Sequence, residues 1–251
     1  MQPVEDAEAR KFWHSQTSSR HRDGSDAFYR RKAEEHARFF LPGERQWPCV
    51  DLGCGAGELL QHLAGRINVA AAIDYSEAIL TEAKRRLPGS TIRFHESGAF
   101  DYLPEAQEKV WMTTGAVNQY LEKTAMDAFL AMFAKHGTAR TLMLFDCVDP
   151  VRYALLPFGI AYLPSKTGDG PAWRRLLRPL RMWQKRFAVA WQILAGSRNR
   201  AGIRLGKASM GYGYPPFYWR EAAALLGLEI TIASSEVYEY RYHVLLRKSH
   251  E

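Results

Sequence analysis

The chain has 251 residues, 47% hydrophobic and 24% charged, an ordinary globular composition that excludes disorder, collagen and coiled coil. Its 34 lysines and arginines against 27 acids give a net charge of +7, which raises nucleic acid, anionic lipid or an acidic substrate as partners until the charge is located. Three cysteines, Cys49, Cys54 and Cys147, form no Cys-x-x-Cys pair, so neither a disulfide framework nor a zinc site is expected, and no metal site is assigned. The longest uncharged stretch, Tyr153 to Ser165, contains Pro157 and Gly159 and falls short of the ~20 apolar residues of a membrane-spanning helix. The acidic start, Met1 to Asp6, does not read as a signal peptide, and a cytoplasmic setting is expected.

In chain order, a polar loop from Ser15 to Asp26 precedes a helix over 25–40, where Phe28, Ala33, His36, Phe39 and Phe40 fall at helical spacing. Strand-like runs at 48–52, 68–73, 91–95, 109–114 and 139–147 then alternate with helical stretches at 58–64, 77–86 and 124–136. Gly65 and Gly137 stand where C-caps belong, and Thr124 with Asp127 reads as a capping pair. This alternation implies a parallel sheet covered on both faces. From Val151 to Met210 no strand is expected. A helix opens at Pro215-Pro216 and ends near Gly227, and strands at 229–233 and 237–247 lie close enough to form a hairpin, so one of them runs antiparallel to the rest. The expected fold is a Rossmann-like, doubly wound seven-stranded α/β sheet in a single domain over 1–251, with a helical insertion at about 151–210 after strand five.

The most informative stretch is VDLGCGAGELL, residues 50–60: an apolar strand enters a glycine turn and leaves as a helix, so that a ligand can approach the backbone N–H groups. A dinucleotide site wants glycine at 53, 55 and 58, but position 58 is glutamate. The next strand ends in Asp74, followed by Tyr75 and Ser76, and an acid there can accept hydrogen bonds from both ribose hydroxyls. VDLGCGAGE followed by AAIDYSEAIL resembles the first two motifs of the class I S-adenosylmethionine-dependent methyltransferases. The similarity runs in order over about residues 47–147, with TTGAVNQYL at 113–121 similar to the stretch after that family's fourth strand.

The resemblance implies S-adenosylmethionine as cofactor. Asp51, Gly53, Gly55 and Gly57 match the motif whose backbone cradles the methionine part of the cofactor, its acid tied to the amino group directly or through water. Asp74 matches the ribose acid and Tyr75 the residue over the adenine. Glu96 and Ser97 are the candidates for the adenine contact, because the family's usual Gly-Asp pair is missing there. Thr114, Gly115 and Asn118 fall where sulfonium and substrate meet. Residues 1–46 match a lid, with Tyr29 among its cofactor contacts and His14, Arg20, His21 and Arg22 before its helix; a solvated polar loop is the plainer reading of that stretch. Thr113-Thr114-Gly115-Ala116 lacks the Asx-Pro-Pro-aromatic motif of amino methyltransferases, which shifts weight to an oxygen acceptor. Losing a hydroxyl proton benefits from a base, and Asp146, His243 and Asn118 are the catalytic candidates. The expected reaction is methyl transfer to a hydroxyl of a small molecule or saccharide, anionic or lipid-linked; an RNA or other polymer acceptor and a non-catalytic cofactor-binding partner are the alternatives.

The charge has a location. Between Lys166 and Lys207 lie eleven cations and one acid, Asp169, so the rest of the chain is net negative. Within that segment Trp173, Leu176, Leu177, Leu180, Trp183, Phe187, Trp191 and Leu194 recur at helical steps opposite Arg174, Arg178, Arg181 and Lys185, which predicts an amphipathic helix over 171–197. It reads either as a helix capping the acceptor pocket or as an interfacial helix on an anionic membrane. Nucleic acid is disfavoured, since bulky Leu and Trp share the stripe and no RNA module is recognisable.

Overall fold

The computed structural model describes residue 11, residues 25–155, residue 191, residues 202–205 and residues 211–249. Helix α1 (Asp26–Arg38) starts where the Ser25 hydroxyl accepts the Phe28 amide at 3.2 Å. There follow β1 (Cys49–Leu52), α2 (Leu60–Leu63), β2 (Val69–Asp74), α3 (Glu77–Arg86), β3 (Arg93–Glu96), β4 (Val110–Thr113), α4 (Lys123–Lys135), β5 (Thr141–Val148) and α5 (Pro150–Leu155). The chain closes through β6 (Ile203–Arg204), β7 (Tyr212–Gly213), α6 (Pro216–Leu226), β8 (Leu228–Ser234) and β9 (Arg241–Lys248). The seven-stranded sheet has the order β3-β2-β1-β4-β5-β9-β8. Its first five strands are parallel, and β9 lies antiparallel between β5 and β8. The order reverses between β1 and β4, so a crevice opens at the carboxyl ends of those two strands.

Every residue of β1, β4 and β5 is buried, as strands covered on both faces must be. On one face Trp111, Val50 and Leu144 meet Phe129 and Phe133 of α4 and Trp219 of α6. On the other, Met112, Met143 and Phe145 meet Phe28, Ala33 and Ala37 of α1 and Leu60 and Leu63 of α2. All three cysteines are buried free thiols. Among the described residues no helix is long and apolar enough to cross a membrane.

Several local expectations are corrected. Gly65 and Gly137 follow the cap residues Ala64 and His136, and neither takes the positive φ of a glycine cap; that role falls to Gly227, at φ +65 after α6. Thr124 and Asp127 are no capping pair: α4 begins at Lys123 after Glu122, whose carboxylate accepts the Thr124 hydroxyl, while Asp127 takes Lys123 and the Tyr218 hydroxyl. The stretch read as strandless contains β6, which pairs with β7 and is too short for any periodicity to reveal. The last strand begins at Arg241, leaving residues 237–240 to the hairpin. The loop residues His14, Arg20, His21 and Arg22 and nearly all of the amphipathic stretch at 171–197 lie outside the described residues.

At the amino end of the sheet one carboxylate closes the structure. Glu44 accepts from Thr141 at 2.7 Å, from Arg247 at 2.8 and 3.0 Å and from the Leu41 amide at 2.8 Å, and it is 3% exposed. Removing one partner of such a pair strands the other, so Glu44→Ala is expected to lower stability by roughly 2–4 kcal/mol in urea unfolding; a loss within experimental error would show that the pair contributes nothing.

Candidate functional site

The turn after β1 is shaped by its neighbours. Gly53 has φ +83, and a Cβ there would stand 2.2 Å from Val117; a Cβ on Gly115, after β4, would stand 2.2 Å from the Gly53 carbonyl oxygen. The turns after β1 and β4 therefore press backbone to backbone, which only glycine permits. The Gly53 and Cys54 amides both donate to the Ile73 carbonyl at 2.8 Å, fastening the turn to the end of β2.

Asp74 ends β2 with one oxygen accepting the Gly55 amide at 3.1 Å and the other the Ser76 amide at 3.2 Å. Burial raises its pKa, opposed by those amide bonds. The Tyr75 amide bears on the carboxylate as well, and since a carboxylate offers about four lone-pair positions, capacity remains for a ribose hydroxyl. The half-buried Tyr75 follows it. Glu96 pairs in register with Asp74 and is exposed at the end of β3, and the Ser97 amide donates to the Asp74 carbonyl at 3.0 Å. The structure thus gathers Gly53, Gly55, Gly57, Asp74, Tyr75, Glu96 and Ser97 along one edge of the sheet. This edge fits a nucleoside joined to an amino-acid chain, with a carboxylate for a ribose and a glycine cradle beside it.

Asp51 does something else. It is fully buried, and Thr114 occupies both its oxygens, the amide at 3.0 Å and the hydroxyl at 2.6 Å. It clamps the end of β1 to the turn after β4 and thereby fixes Thr114 and Gly115. Burial pushes its pKa up to about 6, opposed by the two Thr114 bonds.

The catalytic candidates lie in the interior. Asp146 has φ +58 at the point where the β5–β9 register shifts, a bulge that turns its side chain toward α1. There Lys32 approaches Asp146 Oδ2 to 2.5 Å, with each side chain 1% exposed. Burial alone would raise the Asp146 pKa, but Lys32, His36, His243 and Arg241 together hold it well below the usual carboxylate range. His243 Nδ1 accepts the Asp146 amide at 3.2 Å, which leaves the proton on Nε2, facing Glu35 at 3.0 Å. His36 stacks on Phe145 at 3.8 Å, and burial drives its pKa well down, so it is neutral. Ligand atoms of His36, Asp146 and His243 lie within 4.8 Å of one another, but the Lys32 ammonium already provides the cation at that carboxylate. Asn118 donates to the Phe145 carbonyl at 3.1 Å and to Cys147 Sγ at 3.0 Å. Neither Asp146 nor His243 opens on solvent: they seat α1 on the sheet.

Sequence reasoning passed over Lys32, Glu35 and Arg241. The first two share the stripe of Phe28, His36 and Phe39, so the helical register was their signal. Lys32 Nζ also lies 3.5 Å from the Thr114 carbonyl, joining the Asp146 group to the Asp51 clamp. Tyr29 is buried beside Phe28, ring centroids 5.3 Å apart.

Residues 49–137 match a family described as a methyltransferase domain. The chain is 30% identical to a trans-aconitate 2-methyltransferase from Variovorax paradoxus (strain S110), across 63% of this chain, and spans 64% of that relative's length. Among solved structures it is similar to a putative S-adenosylmethionine-dependent methyltransferase from Listeria monocytogenes (TM-score 0.56, 14% identity, 89% of this chain and 100% of that one). It is also similar to DesVI of Streptomyces venezuelae (0.55, 15%, 88% and 92%). A third is the magnesium protoporphyrin IX methyltransferase of Synechocystis PCC 6803 with bound S-adenosylmethionine (0.52, 14%, 89% and 81%).

The Asp51 clamp has a pH signature. Its pKa is about 6 in the folded chain against ~3.9 unfolded, so the folded state holds the extra proton between those values. This contribution favours folding below about pH 4 and is lost as pH rises through 6. Asp51→Asn, which preserves the shape and cannot titrate, should gain on wild type by roughly 2–3 kcal/mol between pH 4 and pH 7. Denaturant curves at both pH values measure this, and a constant difference would contradict the buried clamp.

Proposed function

We propose that this chain, which carries a class I S-adenosylmethionine-dependent methyltransferase domain, transfers a methyl group to an oxygen of a small molecule. The observation that carries the cofactor part is Asp74, whose carboxylate braces the glycine turn through the Gly55 amide, takes the Ser76 amide on its other oxygen and keeps lone-pair capacity for a ribose hydroxyl. S-adenosylmethionine supplies an electrophilic methyl on a sulfonium. Gly53, Gly55 and Gly57 cradle its amino-acid portion, Tyr75 and Ser97 border the adenine, and Thr114 and Gly115, held by Asp51, face the reacting centre. Positioning of this kind and exclusion of water supply much of the acceleration open to a displacement.

The acceptor follows from what the interior side chains are doing. A hydroxyl of a small molecule or saccharide is the expectation from sequence, and it must lose a proton. Asp146 is bound to Lys32, and both ring nitrogens of His243 are engaged, so neither is placed to receive that proton. The engagement of these two candidates favours an acceptor oxygen that arrives already ionised, as a carboxylate does. In that case an oxygen lone pair forms the new C–O bond, the C–S pair returns to sulfur, and no proton needs a destination. The Variovorax paradoxus relative, named for trans-aconitate, supports the same reading.

The test is methyl transfer from labelled S-adenosylmethionine to a panel of small carboxylic acids and alcohols, with mass spectrometry of the products. Transfer to acids, cut at least about 10-fold in Asp74→Ala through weaker cofactor binding, is expected. Transfer to alcohols alone would overturn the ionised acceptor, and no transfer to either class would overturn the proposed activity.

A further inference from the structure

Among the described residues, one cation near the mouth of the cleft forms no ion pair with a carboxylate within 4.0 Å. Arg241, the first residue of β9, stands opposite Val148 in the β5 register. Its Nη1 donates to the Asp146 carbonyl at 2.8 Å, and Nη2 reaches Gln119 Oε1 at 3.4 Å. Both contacts lie just beyond β4 or at the bulge of β5, where an acceptor enters a sheet of this order. The rings of Tyr238 and Tyr240 flank the guanidinium, centroids 5.2 and 5.4 Å from Cζ. Nε is buried and donates to nothing. The Asp146 carboxylate is taken by Lys32, and among the described residues no carboxylate pairs with Arg241 within 4.0 Å. The Tyr240 hydroxyl also bonds the guanidinium, so every hydrogen-bond partner it has among the described residues is a neutral oxygen, and a buried donor without a partner, as Nε is, costs about 1–3 kcal/mol.

Resting on the methyl-transfer reading above, we propose that Arg241 is the specificity-determining residue for the acceptor, anchoring a carboxylate side-on against Nε and Nη2 in the slot bounded by Tyr238 and Tyr240. The planar fork matches a carboxylate with two parallel charge-assisted bonds, and two ring faces suit a planar group better than a tetrahedral phosphate. An oxygen held by a guanidinium has its lone pairs committed, so the anchored carboxylate is not the one that reacts. The acceptor therefore carries at least two acidic groups, one held and one methylated. Contacts run from Arg241 to Asp146, from Asp146 to Lys32 and from Lys32 to the Thr114 carbonyl, so the guanidinium belongs to the same connected unit as the turn after β4.

The experiment compares wild type, Arg241→Gln and Arg241→Lys on a set of small dicarboxylic acids, each paired with its monoamide. Calorimetry of S-adenosylhomocysteine checks that each variant keeps its cofactor site. Wild type should prefer the diacid, and Arg241→Gln should raise KM for the diacid at least about 10-fold while leaving KM for the monoamide and cofactor affinity unchanged. Arg241→Lys, keeping charge but not the fork, should fall between, and it decides the matter if the glutamine variant does not bind cofactor. Equal KM values in wild type and variants, or no preference for the diacid, overturn the anchor. If no acid is methylated, the same diacids are titrated into wild type and variants loaded with S-adenosylhomocysteine. Binding weakened at least about 10-fold by Arg241→Gln sustains the anchor although the reaction fails; no binding, or equal binding, overturns it.

Discussion

The carboxyl ends of the central strands depend on one buried ion pair, Lys32 with Asp146 at 2.5 Å. Two charges removed from water lower the energy of the fold only when their geometry and surroundings compensate. Here the compensation is structural: the pair holds α1 against the sheet and stabilises a non-glycine residue at φ +58. That conformation turns the Asp146 amide toward His243, whose other ring nitrogen meets Glu35 of the same helix. Lys32 also reaches the Thr114 carbonyl, so helix, bulge and post-β4 turn form one connected unit.

On the opposite side of that unit, Asp51 performs the matching task with neutral donors. Its two oxygens are filled by one residue, Thr114, and the backbone of Gly115 lies against that of Gly53. The cradle is therefore rigid before any ligand enters, its strain divided between glycines and buried carboxylates. Rigid geometry is what displacement chemistry requires, since a misplacement of about 1 Å can cost two orders of magnitude in rate. The burial that fixes Asp51 and Asp146 also withdraws them from direct contact with an acceptor.

The sheet was legible in the sequence because its central strands are apolar runs bounded by glycine turns, and the α3 boundaries, Glu77–Arg86, match the expected 77–86. Asp74 was legible as the acid that closes an alanine-rich strand, at the end of β2. What escaped were groups whose meaning lies in distant partners. Lys32 and Glu35 fall on the apolar stripe of their helix, but the partners that explain two charges there, Asp146 and His243, lie more than one hundred residues away and only the fold brings them together. Gly65 and Gly137 carried a cap signal that an ordinary backbone conformation satisfied instead. In the sequence Arg241 is only one of the polar residues alternating with Tyr238, Tyr240 and Tyr242; the hairpin places it beside Gln119 and Asp146.

The central proposal is that residues 51–57, 74–76 and 113–115, with α1 seated over them, form one preformed cofactor cleft. Hydrogen–deuterium exchange with and without S-adenosylmethionine tests it most directly. The account predicts added protection in those three segments together and in α1, with β8 and the outer face of α6 unchanged. No protection at these segments in a folded protein, or protection confined to another part of the sheet, would contradict it.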